Sequence, residues 1–86
     1  MKTRAKAYGT ANVIGKCVES IRISKGIKQI DFIAKLQSMG LDINPTSYSK
    51  LEGQLRQATD IELYYIAKAL DTDIIELFKL FESSQL

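Results

Sequence analysis

Eighty-six residues suffice for one domain, which at this size buries only about 60–65% of the surface its unfolded chain exposes. The composition, 45% hydrophobic and 26% charged, is that of an ordinary soluble globular protein, and the absence of His with a single Cys excludes imidazole-based catalysis, a Cys/His zinc site and an internal disulfide. The net charge of +2 is unevenly spread: residues 1–56 carry ten Lys and Arg against four acids, and residues 57–86 carry two against six. Such a basic half suits a polyanionic partner.

In chain order, residues 1–11 are small, basic and polar, and read as a flexible arm carrying Lys2, Arg4 and Lys6. A first helix is expected from Asn12, with Ile14, Cys17, Val18 and Ile21 on its apolar side. It should end at Lys25-Gly26, where glycine supplies a left-handed cap. A second helix is expected over Gln29–Ser38, with Phe32, Ile33 and Leu36 inward and Gly40 as its terminator. Asn44-Pro45 announces a third, with Asn as N-cap and Pro at the first helical position, running to Glu52. At 100° per residue, Tyr48, Leu51 and Glu52 share one face of it, while Thr46 and Lys50 point away and Ser47 and Ser49 flank them.

After a loop at 53–58, Thr59-x-x-Glu62 forms a capping box opening a fourth helix with Leu63, Ile66, Ala67 and Leu70 inward. Asp73-x-x-Glu76 similarly opens a fifth, with Ile74, Leu77, Phe78 and Phe81 on one side. Strand and hairpin signals are weak. The expected fold is therefore all-α, a compact bundle of five short helices, with residues 12–82 as the domain and 83–86 as a tail. No apolar run is long enough to span a bilayer and no secretory signal is visible, so a cytoplasmic protein is expected.

In this order and spacing, several fragments over residues 13–78 resemble the Cro and phage-repressor (XRE) helix-turn-helix family. Ile21-Arg22-Ile23-Ser24-Lys25-Gly26-Ile27-Lys28-Gln29 is similar to that family's Leu-Arg-x-x-x-Gly-Leu-x-Gln. Ser49-Lys50-Leu51-Glu52 is similar to its Ser-Arg-Ile-Glu, and the stretch from Thr59 through Leu70 to Leu77 to its closing helices. The span Gln29–Glu52 is longer than in minimal members, the extra residues falling in 38–43, as in a longer-turn subgroup. The resemblance implies a lambda-repressor-like fold whose second and third helices form the helix-turn-helix. It implies a transcriptional regulator of double-stranded DNA, with repression the expected sign, that lays helix 45–52 in the major groove.

Under that resemblance the base-contact candidates are Pro45, Thr46, Ser47, Ser49 and Lys50, where Lys50 can donate to guanine and Thr46 can touch a thymine methyl. The Gln or Arg common at the start of such helices is missing, which implies modest sequence reading. Helix N-termini and adjoining loops offer Lys28, Gln29, Asn44, Gln54 and Arg56 to phosphates. The basic arm would reach along the backbone or into a minor groove. The resemblance also pairs Arg22 with Glu52, an answer to a carboxylate on an inner face. Tyr48 reads as core wall rather than a base-stacking ring, and Cys17 as a small apolar core residue rather than a redox sensor.

Ile61, Tyr65, Ile75 and Leu80 fall outside the core stripes and are candidates for a dimer interface. A twofold homodimer would read a pseudo-palindromic operator with half-sites roughly 34 Å apart. Neither a cofactor nor a metal nor a small-molecule ligand is expected, and an enzyme is not expected. The competing reading is a protein-interaction module or an antitoxin-like partner-binding protein on the same fold.

Overall fold

A computed structural model describes residues 7–85, within which five helices and no strands occur: α1 (Gly15–Ser24), α2 (Gln29–Ser38), α3 (Pro45–Glu52), α4 (Asp60–Ala69) and α5 (Ile74–Ser84). Lys2, Arg4 and Lys6 lie outside the described residues. None of the helices is long and apolar enough to cross a membrane.

Three helices start at the side chains suited to capping them. The Asn44 Oδ1 accepts the Ser47 N–H at 2.8 Å, and the Asp73 Oδ1 accepts that of Ile75 at 2.9 Å. The box at α4 is reciprocal: Thr59 Oγ1 accepts the Glu62 N–H at 3.1 Å, and Glu62 Oε1 accepts the Thr59 N–H at 2.9 Å. The first helix differs from expectation. It starts at Gly15, because the Asn12 side chain accepts from both Ile14 N–H and Gly15 N–H and turns the chain before the helix begins.

Four helices close in one way. After α1, Ile27 N–H donates to Arg22 O and Gly26 N–H to Ile23 O; after α2, Leu41 N–H donates to Leu36 O and Gly40 N–H to Gln37 O. These are Schellman motifs, with the glycine in the left-handed region at φ 71° and 107°. The same paired bonds follow α3 and α4, but there the left-handed residue is Gln54 (φ 60°) and Asp71 (φ 54°). Gly53, the residue directly after α3, stays right-handed at φ −79°.

The core joins Val18 of α1, Phe32 and Leu36 of α2, Tyr48 and Leu51 of α3, Ile66 and Leu70 of α4 and Leu77 of α5, with the Phe32 and Tyr48 rings edge to face at 5.7 Å. Cys17 is buried among them, and burial pushes its thiol up, with Lys16 a smaller opposing influence. The connection before α3 is not a free loop. Leu41 and Ile43 are both buried, and Gln37 Nε2 donates to Ile43 O at 2.9 Å. The longer link therefore folds against the core.

Two placements on the acidic half correct the sequence reading. Tyr65 is half-buried and packs on the core, so it is not an outer residue; the adjacent Tyr64 is the exposed one. Phe78, expected inside with Leu77, is 38% exposed. Ile61, Ile75 and Leu80 are exposed as expected, and Ile30 and Leu55 add exposed apolar surface on the basic half.

Segment 7–11, part of the expected arm, is held in place. Gly9 N–H donates to Gly53 O at 2.8 Å, and Ala11 N–H to Gln54 O at 2.9 Å. Tyr8 OH donates to Glu19, and the Lys16 ammonium lies 5.5 Å from the centre of the Tyr8 ring.

Candidate nucleic-acid interface

Helix α3 is short, about 12 Å at 1.5 Å per residue, and its two sides have opposite chemistry. Tyr48, Leu51 and Glu52 are buried; Pro45, Thr46 and Lys50 are exposed; Ser47 and Ser49 are half-buried between them. All five base-contact candidates thus lie off the core side. Among the described residues, the side chains of Thr46 and Lys50 have no hydrogen-bond or ion-pair partner.

What fixes the buried side is a polar cluster in an apolar surrounding. Arg22 donates through Nε to Glu52 Oε2 at 3.0 Å and through Nη2 to Oε1 at 2.9 Å. Tyr48 OH donates to Oε2 at 2.6 Å, and Gln29 Nε2 to Oε1 at 3.1 Å. A third Arg22 donor, Nη1, reaches Ile27 O at 2.7 Å. Glu52 thereby ties α1, α2 and α3 together. Burial alone would raise its carboxyl, but the Arg22 and Tyr48 hydrogen bonds and the Arg22 charge outweigh burial and hold it below its ordinary value. Tyr48 is pushed well above an ordinary phenol by burial and then by the Glu52 charge. It is a core residue that donates to a carboxylate, which leaves it unable to stack on a base.

The phosphate candidates divide. Lys28 is exposed, with no partner among the described residues. Asn44 is exposed, but its oxygen is occupied as the α3 cap. Gln29 spends its amide on Glu52. Gln54 spends both ends internally: Oε1 accepts Lys16 N–H at 3.0 Å, and Nε2 donates to Gly9 O at 3.0 Å. Arg56 is the plainest departure from a phosphate-gripping role. Its Nη1 and Nη2 clasp both Glu62 oxygens at 2.9 and 2.7 Å, Nε donates to Ser47 O at 3.0 Å, and Nη1 also to Gln57 O at 2.7 Å. Burial opposes ionisation of Glu62, yet the Arg56 hydrogen bonds and the capping N–H of Thr59 hold its carboxyl below the ordinary value. Four of the five guanidinium hydrogens are committed, three of them to bracing α3 against the start of α4.

Asn12 holds the end of α3 in a way the sequence did not single out. Besides turning the chain into α1, it donates through Nδ2 to Leu51 O and Arg56 O, both at 2.9 Å. Its local signal, an Asn just before a helix, was legible; its bond to a residue thirty-nine positions away was not.

Comparison with protein-family models, with curated proteins and with solved structures finds no significant match to this chain.

Proposed function

We propose that the chain binds double-stranded DNA as a sequence-dependent transcriptional regulator, with α2 and α3 as a helix-turn-helix of the lambda-repressor-like kind and α3 in the major groove. One observation carries this reading: α3 presents a polar face on which Thr46 and Lys50 have no partner among the described residues, while its opposite face is anchored by Glu52 in a cluster spanning three helices. A groove reader needs side chains that reach base edges from a rigid mount, and the major groove admits a single helix. The positive excess over residues 1–56 supplies the electrostatic attraction to phosphate. Occupying promoter DNA and excluding polymerase gives repression. Ile61, Ile75 and Leu80 are exposed apolar surface on the acidic half, away in charge from the DNA-facing half, and serve a homodimer in this reading.

The test is selection from random duplex DNA by the purified protein, with Lys50→Ala alongside. A pseudo-palindromic motif that weakens or relaxes in the variant supports groove reading by a dimer. No enriched motif at moderate salt overturns it. The exposed Ile61, Tyr64 and Ile75 favour a second reading, a protein-interaction module, and salt separates the two. Binding to DNA weakens steeply as salt rises, whereas an apolar interface hardly responds.

A further inference from the structure

The contacts between the start of the chain and the end of α3 exceed what closing a helix requires. α3 already terminates itself through its Schellman bonds, Leu55 N–H to Lys50 O at 2.8 Å and Gln54 N–H to Leu51 O at 3.0 Å. Segment 8–12 then adds a second layer on the same few residues. Gly9 binds Gly53 O and accepts from the Gln54 side chain, Ala11 binds Gln54 O, and Asn12 binds Leu51 O and Arg56 O.

Three residues in this contact are chosen for fit rather than for local conformation. A methyl group at Gly9 would stand 2.3 Å from Gln54 O. One at Gly15 would stand 2.5 Å from Leu51 O and 2.6 Å from Glu52 O. Gln54 occupies a left-handed position that glycine fills at no steric cost, and its side chain is what glycine lacks: the bonds to Lys16 N–H and Gly9 O. Two close backbone approaches and a strained non-glycine residue, all on one contact, mark a junction that is held to a set distance.

We propose that Tyr8–Asn12 is a positioning strap for α3: it fixes the helix and its following loop against the start of α1, and so sets how Thr46 and Lys50 are presented to DNA. The consequence for DNA rests on the binding role proposed above; the strap itself does not. Asn12 extends the effect towards the other end of the helix, because it holds the backbone of Arg56, whose Nε donates to Ser47 O near the α3 N-terminus. Asn12 and Gln54 are thus positioning residues that touch no base.

The experiment compares the full chain with Gly9→Ala, which pushes the strap off Gln54, and Gln54→Gly, which keeps the left-handed turn, relieves its strain and removes the side-chain bonds. Ile74→Val serves as a destabilised control, since it trims a core-facing residue of α5. Two readouts are taken: amide hydrogen exchange at Gly53, Gln54 and Leu55, and affinity for the wild-type-selected duplex over a salt series. Exchange at those amides should quicken at least about tenfold in both strap variants relative to the control. Affinity should fall about tenfold, on the scale of one impaired base contact. The slope of log affinity against log salt should not change, since neither variant removes a cation.

Unaltered exchange in both variants overturns the strap. Quickened exchange with unaltered affinity overturns its role in presenting α3 to DNA. If wild type retains no duplex, the DNA reading falls, and the exchange data alone uphold or overturn the strap as what fixes α3.

Discussion

Arg22 and Glu52, thirty residues apart, meet in a two-point ion pair at 3.0 and 2.9 Å inside the core, with the carboxylate fully buried. The pair does not read DNA, yet it places the helix that offers Thr46 and Lys50 to solvent. Removing one member strands the other charge in an apolar setting. Arg22→Ala should therefore destabilise the fold by roughly 3 kcal/mol, more than deleting an exposed pair. A thermal or denaturant midpoint equal to wild type would contradict this.

Acid should weaken the fold over the range in which exposed carboxylates titrate and below it. Glu52 and Glu62 both titrate below their ordinary value of 4.5 in the folded chain, because Arg22 with Tyr48, and Arg56 with the Thr59 N–H, outweigh burial. Their contribution is therefore complete above the unfolded-state pKa. It declines as pH drops through that range and is lost below the folded-state value. Urea midpoints measured from pH 7 to pH 3 should fall, and Glu62→Gln should reduce the slope of that fall. A flat profile would show that neither carboxylate is stabilised by folding.

Arg56 should behave as a brace. Its planar fork holds both Glu62 oxygens while Nε reaches Ser47 O, a geometry lysine cannot copy. Arg56→Lys should cost about 1–2 kcal/mol of stability despite keeping the charge. If lysine restores full stability but any DNA affinity drops, Arg56 contacts phosphate and is not a brace.

Lys50 separates base reading from general attraction. On the proposed reading, Lys50→Ala costs about 1–3 kcal/mol on the selected motif and relaxes preference at one position. A uniform loss on all sequences, with the salt slope reduced by about 0.9, would assign Lys50 to a phosphate instead. Stability should be unaffected, because the exposed ammonium has no partner among the described residues.

Cys17 should be inert in the folded protein. It is buried, and burial pushes its thiol up, which leaves little thiolate for chemistry. Alkylation by iodoacetamide at neutral pH should be slow until denaturant is added. Rapid modification of the native protein would show an accessible thiolate.

Much of the architecture is a local matter, and the residues that determine it are readable in a line of text. Asn44-Pro45, Thr59-x-x-Glu62, Asp73, Gly26 and Gly40 start or stop helices through bonds that span a few residues, and apolar spacing chose the buried sides of α2, α3 and α4. The division of α3 into an inner face with Tyr48, Leu51 and Glu52 and an outer face with Thr46 and Lys50 was legible for the same reason.

Three-dimensional neighbours decided the rest. Gln54 and Asp71 adopt the left-handed turns without the glycine that marks such helix ends in a sequence. Arg56 and Gln54 looked like loop side chains facing phosphate until Glu62, Ser47, Lys16 and Gly9 were brought beside them. Tyr65 packs on the core and Tyr64 stays exposed because the packed face of α4 extends beyond its apolar stripe to take in Tyr65. The early residues 8–12 became part of the α3 mount only on folding. Caps and periodicity act over one or two helical turns, within reach of sequence reading. A polar side chain's partner forty residues away is set by how the helices pack, and that is where a surface residue and a structural one part company.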